Sequence, residues 1–354
     1  MRTVRDNVAA VAAIPVIVLT GYLGAGKTSL LNHLLRQPGA RVGVIVNDFG
    51  DINVDAGLVT GQIDEPASIS GGCICCLEDA GGLDDALDRL SAPRLALDVI
   101  IIEASGLAEP LTLRQLVQTT AVERVRFGGL VDVIDAVEHF RTVDTKDLPP
   151  LRYSAASLAI VNKLDLVPAP EREETLERIT LRIRERNSRI LAVGASGAAV
   201  DPELLYDVAS MEEDESQLPL RQLLIEAQAS SDARHAHAHD HQHAKAVTVA
   251  SQGSIDPDRI LDFLEKPPAG VYRIKGTITT RHGGKFRAYA VNVVGAQIHI
   301  ATSKAASENV LVAIGLDVDA QAVRTALEEV LSPIAGPGSA KGHERLRRYQ
   351  RLSH

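Results

Sequence analysis

Residues 16–35 read VIVLTGYLGAGKTSLLNHLL and decide the fold of this chain. The apolar residues at the start predict a buried strand, the glycine-rich stretch predicts a loop, and the periodic apolar residues near the end predict a helix. The loop has the G-x-x-x-x-G-K-[ST] spacing of a P-loop, whose backbone N–H groups surround phosphate oxygens. Gly21, Gly24 and Gly26 permit this close approach because they carry no Cβ. The positive end of the following helix adds to the attraction for phosphate.

The composition favours a folded protein of two domains. At 354 residues the chain exceeds a usual single domain, and its apolar content of 45% is enough for a substantial core. The formal net charge of −9 argues against nucleic-acid binding by bulk electrostatics. The apolar run near the N-terminus leads into the P-loop without a cleavage site, and no stretch reaches the roughly 18 apolar residues of a membrane span. We therefore expect a cytoplasmic protein that binds neither nucleic acid nor membrane.

Strand and helix patterns alternate through the first part of the chain. Apolar runs predict strands at 16–19, 41–47, 98–102, 129–135, 157–161 and 189–193, and the intervening periodic segments predict helices at 28–36, 78–90, 110–120 and 170–187. Strands this apolar indicate a parallel sheet with helices on both faces, the α/β fold of a P-loop NTPase. Ligands of such sheets bind at the carboxyl ends of the strands. The P-loop, Asp48, Glu103, Asn162 and Ser196 all fall at these ends.

From residue 247 the pattern changes to that of a small α+β domain. We expect strands at 247–250, 271–280, 286–294, 297–301 and 310–314, with helices at 256–265 and 320–331. These patterns divide the chain into a P-loop domain at 1–228, a His-rich linker at 229–246, a C-terminal domain at 247–332 and a basic tail at 333–354. We expect the tail to be solvated or frayed.

The segment Asn162-Lys163-Leu164-Asp165 predicts that the nucleotide is GTP. The Asp165 carboxylate can accept hydrogen bonds from both N1–H and the N2 amino group of guanine, whereas adenine would leave it unsatisfied. Lys163 can lie against the plane of the base. Ser196, which follows the next strand, can approach the guanine oxygen through its backbone.

The P-loop and the segment at 103–106 predict the catalytic residues. Lys27 is placed to reach the β- and γ-phosphates, and Thr28 to place its hydroxyl on Mg²⁺. A strand brings Glu103 beside the magnesium and the attacking water, and Gly106 can present its N–H to the γ-phosphate. The full set expected to bind the nucleotide is Gly21, Gly24, Ala25, Gly26, Lys27, Thr28, Ser29, Gly106, Asn162, Lys163, Asp165 and Ser196.

These motifs together resemble the CobW-type GTPases, the metallochaperone group of P-loop proteins. The resemblance rests on the P-loop, N-D-F-G at 47–50, G-G-C-x-C-C at 71–76, E-x-S-G at 103–106 and N-K-L-D at 162–165. The second half resembles the C-terminal domain of the same family, so that the similarity covers about 14–332. It implies GTP hydrolysis coupled to delivery of a transition metal to a client metalloprotein, which the second domain is expected to recognise.

The three cysteines of the chain are Cys73, Cys75 and Cys76. A clustered, odd set in a reducing compartment indicates metal or redox chemistry rather than disulfides. Thiolates favour Zn²⁺ and other borderline or soft metals, so zinc or cobalt is the expected cargo. The family resemblance places Asp48 and Asp51 near the cysteines as candidates for the fourth ligand. The family usually has Glu at these two positions, so the carboxylates reach one methylene less far.

Other interpretations of the same residues stay open. The cysteines can be buried and inert. The chain can be a zinc-storage or zinc-buffer protein in which GTP sets only the conformation, a nickel-insertion GTPase, or an ATP-dependent P-loop kinase. Five histidines between 235 and 243 can chelate Zn²⁺, Co²⁺ or Ni²⁺ loosely or belong to a solvated linker. Formation of a homo-oligomer is also left open.

Overall fold

The computed structural model describes residues 13–37, 40–46, 67–68, 81–106, 108–206, 244–303 and 308–353. The first domain is built on a seven-stranded sheet in the order β3-β2-β4-β1-β5-β6-β7, and every neighbouring pair is parallel. The strands are β1 (Ile14–Gly21), β2 (Val42–Val46), β3 (Ala67–Ser68), β4 (Val99–Glu103), β5 (Val125–Asp135), β6 (Leu158–Asn162) and β7 (Leu191–Gly194).

Helices cover both faces of this sheet. They are α1 (Lys27–Arg36), α2 (Gly81–Leu90), α3 (Pro110–Gln118), α4 (His139–Thr142) and α5 (Arg172–Arg184). Side chains of β1 alternate between two cores: Val16 and Val18 belong to the one with α2, α3 and α5, while Ile17 and Leu19 belong to the one with α1. The predicted α/β fold is confirmed. The sequence predicted it because strands that are buried on both faces consist almost entirely of apolar residues.

The second domain is a five-stranded antiparallel sheet in the order β11-β10-β9-β12-β8. Asp256 caps a helix whose first residue is Pro257, as the sequence predicts, since its carboxylate accepts a hydrogen bond from the N–H of Asp258 at 3.0 Å. The elements are β8 (Lys245–Ser251), α6 (Pro257–Glu265), β9 (Val271–His282), β10 (Lys285–Val294), β11 (Gln297–Ser303), β12 (Asn309–Gly315), α7 (Ala320–Val330) and α8 (Ala340–Leu352). No helix in the described part of the chain has the length and apolar character needed to cross a membrane.

The prediction of a solvated basic tail is wrong. Residues 340–352 form α8, which packs on α6 and β11. Leu346 is fully buried, and the Ser339 hydroxyl caps the helix by accepting a hydrogen bond from the N–H of Gly342 at 2.9 Å. Arg345 lies within 3.0 Å of three carboxylates of α6, belonging to Asp258, Asp262 and Glu265. The prediction of a solvated tail was based on the charge of the segment and did not consider the helical spacing of its few apolar residues.

The two domains meet at the end of the parallel sheet where the strands begin, opposite the end that holds the P-loop. Tyr272, Val294 and Leu316 of the second domain join the core that includes α1. Asn292 accepts a hydrogen bond from Arg126, which lies near the start of β5. The P-loop follows the carboxyl end of β1, so these contacts of the second domain lie at the opposite, amino-terminal end of the strands.

A buried polar chain stabilises the segment between α4 and β6. The ring of His139 lies 2.6 Å from the Tyr153 hydroxyl, which donates a hydrogen bond to Asp144 at 3.1 Å. Arg182 of α5 forms an ion pair with the same carboxylate at 2.8 Å. Since the tyrosine donates its only proton to Asp144, the Nε2–H of His139 donates to the tyrosine oxygen. Burial lowers the pKa of His139 to about 4, so the ring is neutral at pH 7.

Replacement of His139 by Gln is expected to reduce the loss in the free energy of unfolding that occurs as the pH is lowered. The pKa of His139 is depressed on folding, so between about 6.5 and about 4 only the unfolded chain binds the proton, and stability falls as the pH falls through this window. We expect His139 to account for a loss of about 2 kcal/mol in the free energy of unfolding between pH 7 and pH 5. Urea unfolding of both proteins at the two pH values measures this. Parallel losses in wild type and His139→Gln contradict it.

Candidate nucleotide site

The P-loop bends sharply between the end of β1 and the start of α1. Gly26 is the N-cap of α1 and has a φ of 102°, in the left-handed region that favours glycine. A Cβ at this position would collide with the side-chain amide of Asn162. Lys27 is only 9% exposed, and its ammonium donates to the carbonyl oxygen of Gly21 at 3.2 Å, across the mouth of the loop. The loop therefore presents a positive charge and a helix N-terminus at one point, which suits a phosphate chain.

Thr28 and Glu103 come together beside the loop. The Thr28 hydroxyl donates to a carboxylate oxygen of Glu103 at 2.7 Å. Strands β1 and β4 are neighbours, with Leu19 in register with Glu103, and this pairing brings the carboxylate to the first turn of α1. Glu103 is 2% exposed. A hydroxyl and a buried carboxylate at this distance are oxygen donors of the type that Mg²⁺ prefers, so these residues fit a magnesium ion.

Gly106 follows β4 and lies against the tip of the P-loop. A Cβ on this residue would stand 2.8 Å from the backbone nitrogen of Leu23. Glycine is therefore the residue that allows the two backbones to approach closely. The P-loop and the E-x-S-G segment are about 80 residues apart along the chain, and they are direct neighbours in the structure.

Asn162 joins the P-loop to the two loops that follow β6 and β7. Its side-chain nitrogen donates to the carbonyl oxygen of Ala25 at 2.9 Å, and its side-chain oxygen accepts from the N–H of Ala198 at 2.8 Å. The residue is 3% exposed, so both hydrogen bonds are shielded from water. Asn162 therefore holds the P-loop at a fixed position relative to the loops that contain Asp165 and Ser196.

Asp165 and Ser196 lie together at the end of the sheet. One carboxylate oxygen of Asp165 accepts a hydrogen bond from the N–H of Gly197 at 3.2 Å, next to Ser196. Arg172 holds the loop from the other side, because its guanidinium donates to the backbone oxygens of Asp165 and Val167 at 3.1 and 3.0 Å. The Asp165 side chain is exposed and keeps acceptor capacity on its second oxygen, which suits recognition of a base edge.

Asp135 is a candidate site residue that the sequence reasoning missed. It forms an ion pair with Lys163 at 2.6 Å, and it also accepts hydrogen bonds from the N–H groups of Val137 and Glu138 at 2.9 and 3.1 Å. Burial alone raises the pKa of Asp135, but the bonds from Lys163 and the two N–H groups outweigh it and place the pKa below its usual value. Lys163 has a φ of 64°, so its backbone is in a conformation that non-glycine residues seldom adopt. The sequence signal was a carboxylate at the carboxyl end of a buried strand.

A cavity of about 260 Å³ lies beside the P-loop, between it and α4. An ion pair lines it, formed by buried Asp132 and largely buried Arg152 at 2.7 Å. Thr20 of β1 adds a hydrogen bond to the Asp132 carboxylate at 3.2 Å. The remaining lining residues are Tyr22, Leu23, Gly24, Val133, Ile134, Asp135, Glu138, His139, Thr142, Val143 and Lys163. The cavity therefore adjoins both the phosphate loop and the lysine expected to contact the base.

The structure brings most of the expected nucleotide residues to one edge of the sheet. Strand pairing, Asn162 and the Asp135–Lys163 ion pair account for that placement. Among the residues that the structure describes, no three His, Cys, Asp or Glu side chains are grouped to hold a metal ion. The expected cargo-metal residues lie outside the described residues: Asp48, Asp51, Cys73, Cys75 and Cys76. The histidine cluster of the linker also lies outside them.

Replacement of Asp165 by Asn is expected to change which base the site prefers. An amide can offer only one acceptor to the guanine donors and adds a donor that suits the second carbonyl oxygen of xanthine. We expect affinity for GTP to fall by about 100-fold or more and affinity for xanthosine triphosphate to rise. Competition against a fluorescent GTP analogue measures both. Unchanged preference for guanine in Asp165→Asn contradicts the assignment of the base site.

Replacement of Asp135 by Asn is expected to weaken GTP and GDP binding by the same factor, about three- to tenfold. The physical reason is that Asp135 fixes the stem of Lys163, which we expect against the base rather than the phosphates. Glu138→Gln is the matched control, since it removes a carboxylate from the same cavity without a bond to Lys163. Equal effects of the two variants would mean that only the local charge matters.

Comparison with known proteins identifies the family. A model described as the CobW/HypB/UreG nucleotide-binding domain matches residues 15–191, which is half of the chain. A second model, described as the cobalamin synthesis protein CobW C-terminal domain, matches residues 244–331. The two matches coincide with the parallel-sheet domain and most of the antiparallel-sheet domain.

Several curated proteins are similar to this chain. The zinc chaperone CobW of Sinorhizobium sp is 29% identical over 92% of this chain and 99% of its own length. The zinc chaperone YjiA of Escherichia coli is 34% identical over 48% of this chain and 55% of its own length. The zinc-regulated GTPase metalloprotein activator 1 of Schizosaccharomyces pombe is 34% identical over 46% and 42%, respectively. The matching regions thus span about half the length of the latter two relatives.

Among solved structures, the Zn(II)-bound YjiA GTPase of Escherichia coli aligns with 90% of this chain and 99% of its own, at 19% identity and a TM-score of 0.41. The family is shown by the sequence match to its nucleotide-binding domain, which covers half of the chain. The chain therefore belongs to the CobW/HypB/UreG family of P-loop GTPases.

Proposed function

We propose that this protein is a GTP-hydrolysing metallochaperone that binds zinc or cobalt and delivers it to a client protein. The contact between Thr28 and Glu103 at the mouth of the P-loop carries the hydrolytic part of the proposal. The Cys-x-Cys-Cys sequence at 73–76 carries the metal part. Relatives named as zinc chaperones support zinc as the cargo.

The chain supplies the groups that GTP hydrolysis needs. Lys27 and the backbone N–H groups of the loop hold the phosphates, and Asp165 with Lys163 and Ser196 holds guanine. Thr28 and Glu103 would hold Mg²⁺, which neutralises phosphate charge. Water attacks the γ-phosphorus, and the bond to the β–γ bridging oxygen breaks to give GDP and phosphate. Glu103 lies beside that reaction centre, and Gly106 can donate its N–H to the γ-phosphate.

The register of β2 and β3 supports a link between the nucleotide and the cargo metal. Val46, the last residue of β2, is in register with Glu103 on one side and with Ser68 of β3 on the other. Strands β2 and β3 therefore both end at the side of the sheet that holds the P-loop, β2 shortly before Asp48 and Asp51 and β3 shortly before Cys73. Carboxylate and thiolate ligands in this segment can respond to the γ-phosphate through Glu103 and Gly106.

The second domain is proposed to recognise the client. It contacts the first domain at the edge opposite the nucleotide, through residues such as Asn292 and Tyr272. A client bound to the second domain therefore does not compete with GTP for space. This arrangement favours a sequence in which metal and GTP bind first, the client docks, and hydrolysis precedes transfer of the metal.

Metal affinity is expected to depend on the nucleotide. Equilibrium titrations with Zn²⁺ and Co²⁺ are done in the presence of GDP or a non-hydrolysable GTP analogue. We expect at least about tenfold tighter binding with the analogue, because ordering of the segment near the γ-phosphate preorganises the ligands. A variant with Ser at positions 73, 75 and 76 is expected to lose this difference and keep its affinity for GTP.

Equal metal affinities with GDP and with the GTP analogue contradict the transfer cycle. Steady-state hydrolysis distinguishes the alternative function. Turnover that is not stimulated by Zn²⁺ or Co²⁺, together with tight metal binding, indicates a metal buffer in which GTP acts only on conformation. A preference for ATP in the competition assay indicates a kinase-type P-loop protein instead.

A further inference from the structure

Helix α8 has a second face, most of whose charged side chains are exposed within the part of the chain that the structure describes. Its inner face is fixed by buried Leu346 and by Arg345 among three carboxylates of α6. Its C-terminal end is held to β11, because Gln350 donates a hydrogen bond to the Thr302 hydroxyl and Ser353, which follows the helix, accepts one from the N–H of Ile300. The outer face carries four exposed cations: Lys341, Arg347, Arg348 and Arg351. Arg351 lies four residues after Arg347 and three after Arg348, so these three are neighbours on the helix surface.

The hairpin that joins β9 to β10 extends this basic face. The ring of His282 packs against that of His343 of α8 at a tilt of 54°, with centroids 4.4 Å apart, and its Nε2 accepts a hydrogen bond from the Arg347 guanidinium at 2.9 Å. Lys285 is the register partner of His282, and Arg287 follows two residues later on the same face of the strand. Both cations are exposed. The hairpin thus fixes Arg347 and adds two further positive charges.

An open groove of about 790 Å³ runs along this side of α8. Its single acidic lining residue is Glu344, and the other lining residues are His282, Ala340, His343, Arg347, Gln350 and Arg351. Within the described part of the chain, Arg347 and Arg351 form no ion pair, in contrast to the neighbouring Arg345. In a chain with a formal net charge of −9, this concentration of positive charge is a local exception.

We propose that the groove between α8 and the β9–β10 hairpin binds an extended acidic segment of a partner protein. Guanidinium groups bind carboxylates through two parallel hydrogen bonds, and Arg347 is already oriented by His282. The lining residues of the groove run from Ala340 to Arg351, so an extended peptide can lie along the helix and meet several of them. The proposal specifies how the second domain would recognise the client. Only the identification of the partner as that client rests on the proposed function.

Nucleic acid is a poorer match to the same surface. Glu344 lies inside the groove, where it repels a phosphate backbone, and the net charge of the molecule opposes a polyanion over longer distances. The groove is not lined by Phe, Tyr or Trp, so it offers no such ring on which bases can stack. A peptide with spaced carboxylates can avoid Glu344, whereas a continuous phosphate chain cannot.

Charge reversal of the groove tests the proposal. The probe is a short fluorescein-labelled peptide of alternating glutamate and glycine, measured by fluorescence polarisation with the full chain. We expect saturable binding, which Arg347→Glu with Arg351→Glu weakens by about tenfold or more, and which Glu344→Gln strengthens. The control pair is Arg89→Glu with Arg184→Glu, two exposed arginines of the first domain that change the net charge equally.

Each remaining outcome overturns the proposal. These are no saturable binding by the wild type, an equal loss in the control pair, or tighter binding of a single-stranded oligonucleotide than of the peptide with the same response to the variants. The thermal midpoint of every variant is measured to confirm that the second domain stays folded. Metal titrations with the GTP analogue and GDP are repeated on the groove variants, which are expected to keep the nucleotide dependence, so that the two proposals fail separately.

Discussion

The side-chain amide of Asn162 is the interaction on which the nucleotide site depends. It bonds Ala25 of the P-loop and Ala198 of the loop after β7 at the same time, in a position that is 3% exposed. A buried donor or acceptor left without its partner costs more than an exposed one, so either loop can shift only at a considerable free-energy cost. The spacing between the phosphate loop and the base-recognition loop is set by this one residue.

The surrounding residues extend that constraint in two directions. Towards the phosphates, the pairing of β1 with β4 places Glu103 against Thr28. Towards the base, Asp135 at the end of β5 holds Lys163, whose backbone is in a left-handed conformation. The register pairs Asp135 directly with Asn162, so both directions start from neighbouring strands. The site is a property of strand order and register more than of any one loop.

The position of the second domain has a consequence for how the protein can work. Because it packs at the amino-terminal edge of the sheet, the nucleotide and the basic groove of α8 lie on different sides of the molecule. A signal between them has to pass through the sheet or along α1. The C-terminal half of α1 contacts the segment that leads to the second domain, since Val200 is bonded to His33, and Glu203 to Arg273. These contacts connect α1 to β9 of the second domain through residues 200–203.

Much of the first domain was predictable from the sequence, and parts of the rest were not. Apolar strands, the P-loop spacing and the N-K-L-D segment are local patterns, and local patterns determined the α/β fold, the position of Lys27 and Thr28 at the loop, and the expectation of guanine. The role of Asp135 was not predictable in the same way. A carboxylate at the end of a strand has no local partner, and its ion pair with Lys163 exists only because β5 and β6 are neighbours in the sheet.

The basic C-terminal segment shows the same difference. Its sequence determined that it is charged, and the charge was interpreted as solvation. The tertiary structure decided that it is a helix, because Leu346 finds a core and Arg345 finds three carboxylates on α6. Local sequence patterns thus account for the chemical groups that the protein carries and for the helices and strands around them. Which of these groups meet depends on the tertiary structure, because burial and charge pairing involve neighbours that are distant along the chain.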